Sequence, residues 1–186
     1  MEDKLGFRFH GGRPSVNFTA TVGMRRNDGG FERLPDPAAL GRWFTEAGLT
    51  PEDPPGTAAD LTAARELREA VYRLMLGRLT GGPAAEEDVA TVNRWAAQPP
   101  PVTALRVTPA GLRAQVASAT VPALLASIAA DAVAVLGDDA VRLRECANPE
   151  CTLLFLDTSR AGVRRWCSMS ACGSRDKMQR YRSADR

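Results

Sequence analysis

The 186-residue sequence predicts an α+β fold that is predominantly α-helical. A helical body with short strands is expected over residues 1–140, followed by a small four-cysteine module over residues 141–186. Three observations carry that expectation. Apolar residues recur at helical spacing through Thr57–Leu79 and Thr120–Leu136. All four cysteines, Cys146, Cys151, Cys167 and Cys172, fall in the last quarter of the chain. Charge divides at the same place: residues 1–141 hold 14 Lys/Arg against 17 Asp/Glu, and residues 142–186 hold 10 against 5. A basic module on a mildly acidic body is a pattern suited to a polyanionic partner.

Each element has its own signal. Phe7-Arg8-Phe9 alternates as a short strand and meets the turn Gly11-Gly12-Arg13-Pro14. A helix is expected from Pro14 to Met24, with Val16 and Phe18 apolar, then a turn at Asp28-Gly29-Gly30 and a second short strand at Phe31–Leu34. Asp36 caps, and Pro37 opens, a helix through Leu40, Trp43 and Phe44 to Gly48. Thr57 and Asp60 form a capping pair for a long helix whose stripe is Ala64, Leu67, Val71, Leu74 and Met75; Gly81-Gly82-Pro83 stops it. Ala84–Ala97 is another helix, with three acids at its positive end. After the Pro99–Pro101 break, Val102–Val107 and Leu112–Ala117 read as a hairpin. Thr120–Leu136 is apolar on nearly every side, as a central helix should be. Its apolar run is shorter than the roughly 20 residues of a membrane span. No secretory leader is legible at the acidic N-terminus, so a cytoplasmic protein is expected, where clustered cysteines favour metal over disulfides.

The cysteines are spaced Cys146-x4-Cys151, fifteen residues, Cys167-x4-Cys172. Zinc takes four tetrahedral ligands and accepts thiolate well, so two pairs from separate turns suit it. The segment Ala147-Asn148-Pro149-Glu150 can form a tight turn aiming both sulfurs inward. One structural Zn²⁺ per chain is expected; the alternatives are buried small hydrophobes or a disulfide pair. An enzyme is disfavoured: His10 is the single histidine, and no Walker loop, dinucleotide-binding glycine pattern or paired-carboxylate site stands out. No catalytic residue is assigned.

These cysteines sit in a wider pattern. Leu143-Arg144-Glu145-Cys146, Pro149-Glu150-Cys151, Phe155-Leu156-Asp157-Thr158-Ser159-Arg160, Arg164-Arg165-Trp166-Cys167-Ser168-Met169 and Cys172-Gly173-Ser174-Arg175-Asp176-Lys177 resemble the CGNR-type zinc finger. Phe7–Ser15 and Leu40-Gly41-Arg42-Trp43 resemble the domain that usually precedes that finger in bacterial stress-induced transcription regulators. The resemblance implies a stress-linked transcription regulator with an α-rich N-terminal domain. Two departures stand out: Ser174 replaces the family's asparagine, and Asn17 and Ala20 replace an acid and an amide.

Gly173–Arg186 is expected to form a helix leaving the last ligand, as in treble-clef-like fingers. Arg175, Gln179, Arg182 and Arg186 fall on one narrow stripe of it, suited to phosphates and purine edges. Arg164 and Arg165, in a preceding strand, extend the patch, while Met178 and Tyr181 pack toward Phe155 and Trp166. The competing reading is a solvated helix whose cations complement its dipole. Arg13 and Asn17 are candidate ligand-binding residues in the N-terminal domain, and a homodimer would double the DNA contact. The functional expectation is a zinc-dependent DNA-binding regulator. Open beside it are a finger that serves protein interaction or structure alone, and a zinc-thiolate redox switch.

Overall fold

Helices dominate the described residues, 6–26 and 30–178, of the computed structural model. In chain order they run α1 (Pro14–Thr19), β1 (Val22–Gly23), β2 (Phe31–Glu32), α2 (Pro37–Glu46), α3 (Ala58–Thr80) and α4 (Glu86–Ala96). Then come β3 (Val102–Thr108), β4 (Gly111–Ser118), α5 (Val121–Leu136), β5 (Leu143–Glu145) and β6 (Leu154–Leu156). A π-helical turn spans Met169–Gly173, and residues 174–178 continue as α-helix. The strands pair antiparallel, β1 with β2, β3 with β4 and β5 with β6.

The expected caps form. Asp36 accepts from the Ala39 N–H at 2.7 Å, and Thr57 and Asp60 make a reciprocal capping box. Gly81 ends α3 in the left-handed conformation, φ 71°. One cap comes from a distance. The Asp131 carboxylate of α5 accepts from the Ser15 N–H (2.9 Å), the Ser15 hydroxyl (2.6 Å) and Arg13 Nε (2.7 Å). The lone acid inside an apolar helix thus serves the N-terminus of α1, whose N-cap residue, Arg13, caps no helix N–H with its own side chain.

Trp43 of α2 is fully buried, with the Phe18 ring 4.9 Å and the Phe44 ring 5.5 Å from its centroid. Leu124, Leu125 and Ile128 of α5 and Leu67 and Val71 of α3 complete the same core. Three elements differ from expectation. Phe7-Arg8-Phe9 pairs with no strand, and Phe9 instead packs on Trp43. Helix α1 stops at Thr19 because the Thr19 and Thr21 hydroxyls turn back onto the Val16 and Phe18 carbonyls at 2.8 Å. Arg164 and Arg165 lie in irregular chain, not a strand.

Strand β6 is a wall between two cores. Alternate residues of a strand face opposite ways. Leu154 and Leu156 pack into the helical core with Leu143, while Leu153 and Phe155 pack with Cys146, Cys167, Cys172 and Ala20. The Leu156 N–H donates to the Gly11 carbonyl at 2.9 Å, fastening the strand to the segment before α1. Among the described residues no helix is long and apolar enough to cross a membrane.

Candidate metal centre

Cys146 follows β5, and its N–H donates to the Leu153 carbonyl at 2.9 Å, extending the β5–β6 ladder past the strands. Between them, Asn148 builds the expected turn. Its carbonyl accepts from the Cys151 N–H at 2.9 Å and its side chain from the Glu150 N–H at 3.0 Å. Thr152 then takes φ 55°, a left-handed conformation rare for a β-branched residue. Its hydroxyl accepts from the Arg25 N–H at 3.1 Å, which helps hold the turn. Of the second cysteine pair, Cys167 lies two residues before, and Cys172 within, the π-helical turn. Ser168 caps it, and the Ser168 carbonyl accepts from the N–H groups of Cys172 and Gly173 at 3.0 Å. The Ala147 N–H to Arg165 carbonyl bond, 2.8 Å, ties the two turns together.

All four sulfurs lie within 4.8 Å of one another. Cys151 Sγ is 3.5 Å from Cys167 Sγ, which is 3.7 Å from Cys172 Sγ. Four sulfurs about 2.3 Å from a zinc ion would form a tetrahedron with edges of about 3.8 Å, so the donor set fits that metal. The thiols also show why a cation belongs there. Cys146 is held far below its ordinary pKa by hydrogen bonds from the side chains of Cys151, Cys167 and Cys172. Cys167 is pushed far up by the same kind of contacts, with Cys146 first. Cys172 is lowered too, its contact with Cys146 raising it and those with Cys151 and Cys167 lowering it, so the thiols share protons unevenly, and a bound cation would favour all four thiolates together. The Cys167 N–H also points at Cys146 Sγ, 3.5 Å away.

Beneath the sulfurs, Asp157 organises the loop between the turns. This buried carboxylate accepts from the Ser159 hydroxyl (2.5 Å), the N–H groups of Ser159 (3.0 Å) and Arg164 (2.9 Å), and Arg144 Nε (3.1 Å). The Ser159 hydroxyl first, and then the two backbone donors and Arg144, hold its pKa down to about 2.

A cavity of about 480 Å³ opens beside the cysteines, lined by Cys151, Cys167 and Cys172 together with Arg8, His10, Arg33 and Arg175. Arg33 is buried and donates to the carbonyls of Gly6 and Ala20, both at 3.1 Å. Burial first, then the neighbouring Arg8 charge, lowers its pKa. Sequence reasoning missed Arg8 and Arg33 as neighbours of the thiols, because no spacing relates them to the cysteines.

The other candidate residues separate. Arg165 and Arg175 are exposed, the first with its guanidinium 4.9 Å from the Trp166 ring centroid. Arg164 turns inward: it donates to the carbonyls of Trp166 and Cys167 and lies 4.7 Å from the Phe155 ring centroid. That engages it in holding the module together. Gln179, Arg182 and Arg186, with Tyr181, lie outside the described residues. Neither Arg13 nor Asn17 lines the cavity beside the cysteines. Arg13 pairs with Asp131, and Asn17 accepts from the Gly11 N–H at 2.7 Å. A Cβ at Gly11 would come within 2.8 Å of the Asn17 side chain, so glycine and amide are matched. Ser174 uses its hydroxyl on the Met169 carbonyl at 3.1 Å. Ala20 is buried beside the cysteines.

Two family models match the chain. The ABATE model, described as "putative stress-induced transcription regulator", matches residues 12–139, and the CGNR zinc-finger model matches residues 142–184. No curated protein matches the chain. The first match spans more than two thirds of the chain and the second takes in all four cysteines, so the chain belongs to the ABATE family and ends in a CGNR zinc finger.

Proposed function

We propose that the protein is a zinc-dependent, DNA-binding transcription regulator of the bacterial cytoplasm. The convergence of four sulfurs immediately before a basic segment carries this reading. Cys146, Cys151, Cys167 and Cys172 would hold one Zn²⁺, which supplies a closed tetrahedral tie and no open coordination position. In this reading the finger begins near residue 141, and residues 1–140 act as a sensor and dimerisation domain. Arg165 and Arg175, with Gln179, Arg182 and Arg186, meet the nucleic acid, while Arg164 braces the finger.

Charge bounds the strength of that contact. Four thiolates and Zn²⁺ sum to −2, so the module's formal +5 falls to about +3. One such finger binds weakly, and paired fingers are needed for a specific site. The test is fluorescence anisotropy of a labelled random-sequence duplex over a salt series, with and without chelator. Replacing Arg175, Arg182 and Arg186 by Ala removes three phosphate contacts and should flatten the log–log salt slope by about 2.7. An unchanged slope, or no duplex binding by the native protein at low salt, rejects the reading in favour of an interaction or structural finger.

A second reading, metal release on oxidation, is favoured by Cys151, the partly exposed cysteine of the four, whose sulfur lies 3.5 Å from Cys167 Sγ beside the cavity. Two thiolates, one hydrogen peroxide and two protons give a disulfide and two waters, removing two ligands from the metal. Zinc release in step with loss of two thiols on peroxide titration supports it. Retention of zinc through that loss rejects it.

A further inference from the structure

Most described residues of the β3–β4 hairpin are exposed. Its register pairs Thr103 with Val116, Leu105 with Ala114 and Val107 with Leu112, which places these six residues on one face. Ala104 pairs with Gln115 and Arg106 with Arg113 on the other. The first face is apolar and bare: Leu105 is 71% exposed, Val107 86% and Leu112 63%. Among the described residues no third strand joins the hairpin. An isolated pair of strands is marginal in water, and long unpaired apolar strands are normally covered or charged.

We propose that this face is the dimer interface, covered by the same face of a second copy of the chain. Four observations select that occupant. The face carries no charged side chain, so a two-fold related copy meets it without burying an ion. Each copy presents the same three bare side chains, Leu105, Val107 and Leu112, so the face is self-complementary as a two-fold interface requires. The second hairpin supplies the layer the first lacks, two sheets stacking about 10 Å apart. Finally, Arg106 stands directly across from Arg113, a like-charge pair that opposes burial of the other face. The sidedness is therefore built in: apolar faces inward, arginines outward.

The pairing does not depend on whether the finger binds DNA, and its test is separate from the anisotropy series. Sedimentation equilibrium of the full chain, from about 1 to 200 µM, should give twice the monomer mass of 20.0 kDa in the upper part of that range. Changing both Leu105 and Val107 to Glu should weaken association about 100-fold or more and leave a 20.0 kDa species, since each copy would bury two unpaired charges. Both side chains are exposed in the monomer, so circular dichroism and metal content should not change. Val107→Lys alone should act in the same direction, and Arg106→Glu on the outer face should leave the mass doubled. Native protein of monomer mass across the range overturns the proposal and leaves the face to a foreign chain. Persistence of the doubled mass in the Leu105/Val107 variant overturns it too, by moving the interface elsewhere.

Discussion

Truncating Leu154 tests whether the cysteine module and the helical body unfold as one unit. Leu154 is 1% exposed and belongs to the core built by α1, α3 and α5, although β6 lies three residues after Cys151. Its neighbour Phe155 faces the cysteines. A Leu→Ala change at such a site costs about 2–5 kcal/mol, depending on how far the surroundings close on the cavity. With a urea slope of about 2–3 kcal/mol/M for a chain of this size, the midpoint should fall by about 1–2 M. Two probes are needed. Far-UV circular dichroism follows the helices, and a chromogenic chelator follows released metal. If β6 is a shared wall, the two curves coincide in the native protein and move together in the variant. Metal release at an unchanged urea concentration, beside a shifted helical transition, would refute the shared core. So would two separate transitions in the native protein.

Three other substitutions probe single interactions. In Asp157→Asn the sign follows from a carboxyl held at about 2, below its unfolded value of about 3.9. The native protein's thermal advantage over this variant should be full above about pH 4 and shrink as the pH falls through 2; an advantage independent of pH contradicts the assigned network. Arg68 is buried, grips both oxygens of Glu32 at 2.7 and 2.8 Å, and contacts Glu69 at 2.8 Å. Arg68→Ala takes the bidentate partner from Glu32, which keeps Arg65 at 3.7 Å, while Glu69 keeps Arg25 at 2.7 Å; it should cost about 1–3 kcal/mol, a melting shift of about 3–10 °C by calorimetry. Thr57→Ala removes one half of the α3 capping box and should cost about 1 kcal/mol, or about 2–4 °C in the same measurement.

Local chemistry made most of the fold legible. The caps at Asp36 and Thr57, the stop at Gly81 and the proline break before β3 act within four or five residues, so they can be read in order. The same holds for the Asn148 turn and the paired cysteine spacing. Errors fell where tertiary partners decide. Phe7 and Phe9 alternate like a strand, yet the Trp43 ring takes Phe9 and no strand is in reach to pair. Arg164 looks like a surface cation beside Arg165, yet two carbonyls and the Phe155 ring draw it inward. Asp131 looks like a blemish in an apolar helix, and only the fold reveals Ser15 and Arg13 as its partners.

The surroundings of the cysteines were illegible for the same reason, and that bears on how the finger could report to the body. Four long-range ties converge on the first turn and its flanking strands. Arg25 donates its N–H to Thr152, Arg26 pairs with Glu145 at 2.7 Å, Gly11 accepts from the Leu156 N–H, and Ala20 packs against the sulfur-bearing residues. The partners on the body side all lie within residues 11–26, the segment containing α1 and β1. That segment also carries Asn17 and Ala20, where the chain departs from the family pattern. Its backbone is fixed at one end by Asp131 of the central helix and at the other by the turn bearing Cys151 and Thr152. In the reading proposed above, a change in how α1 sits on α5 would bear on the cysteine turn through this segment, and loss of the metal would bear on the same segment from the other side. Reciprocity of that kind is what linkage requires of a sensor coupled to a finger, and the short path makes α1 the element through which the two would be coupled.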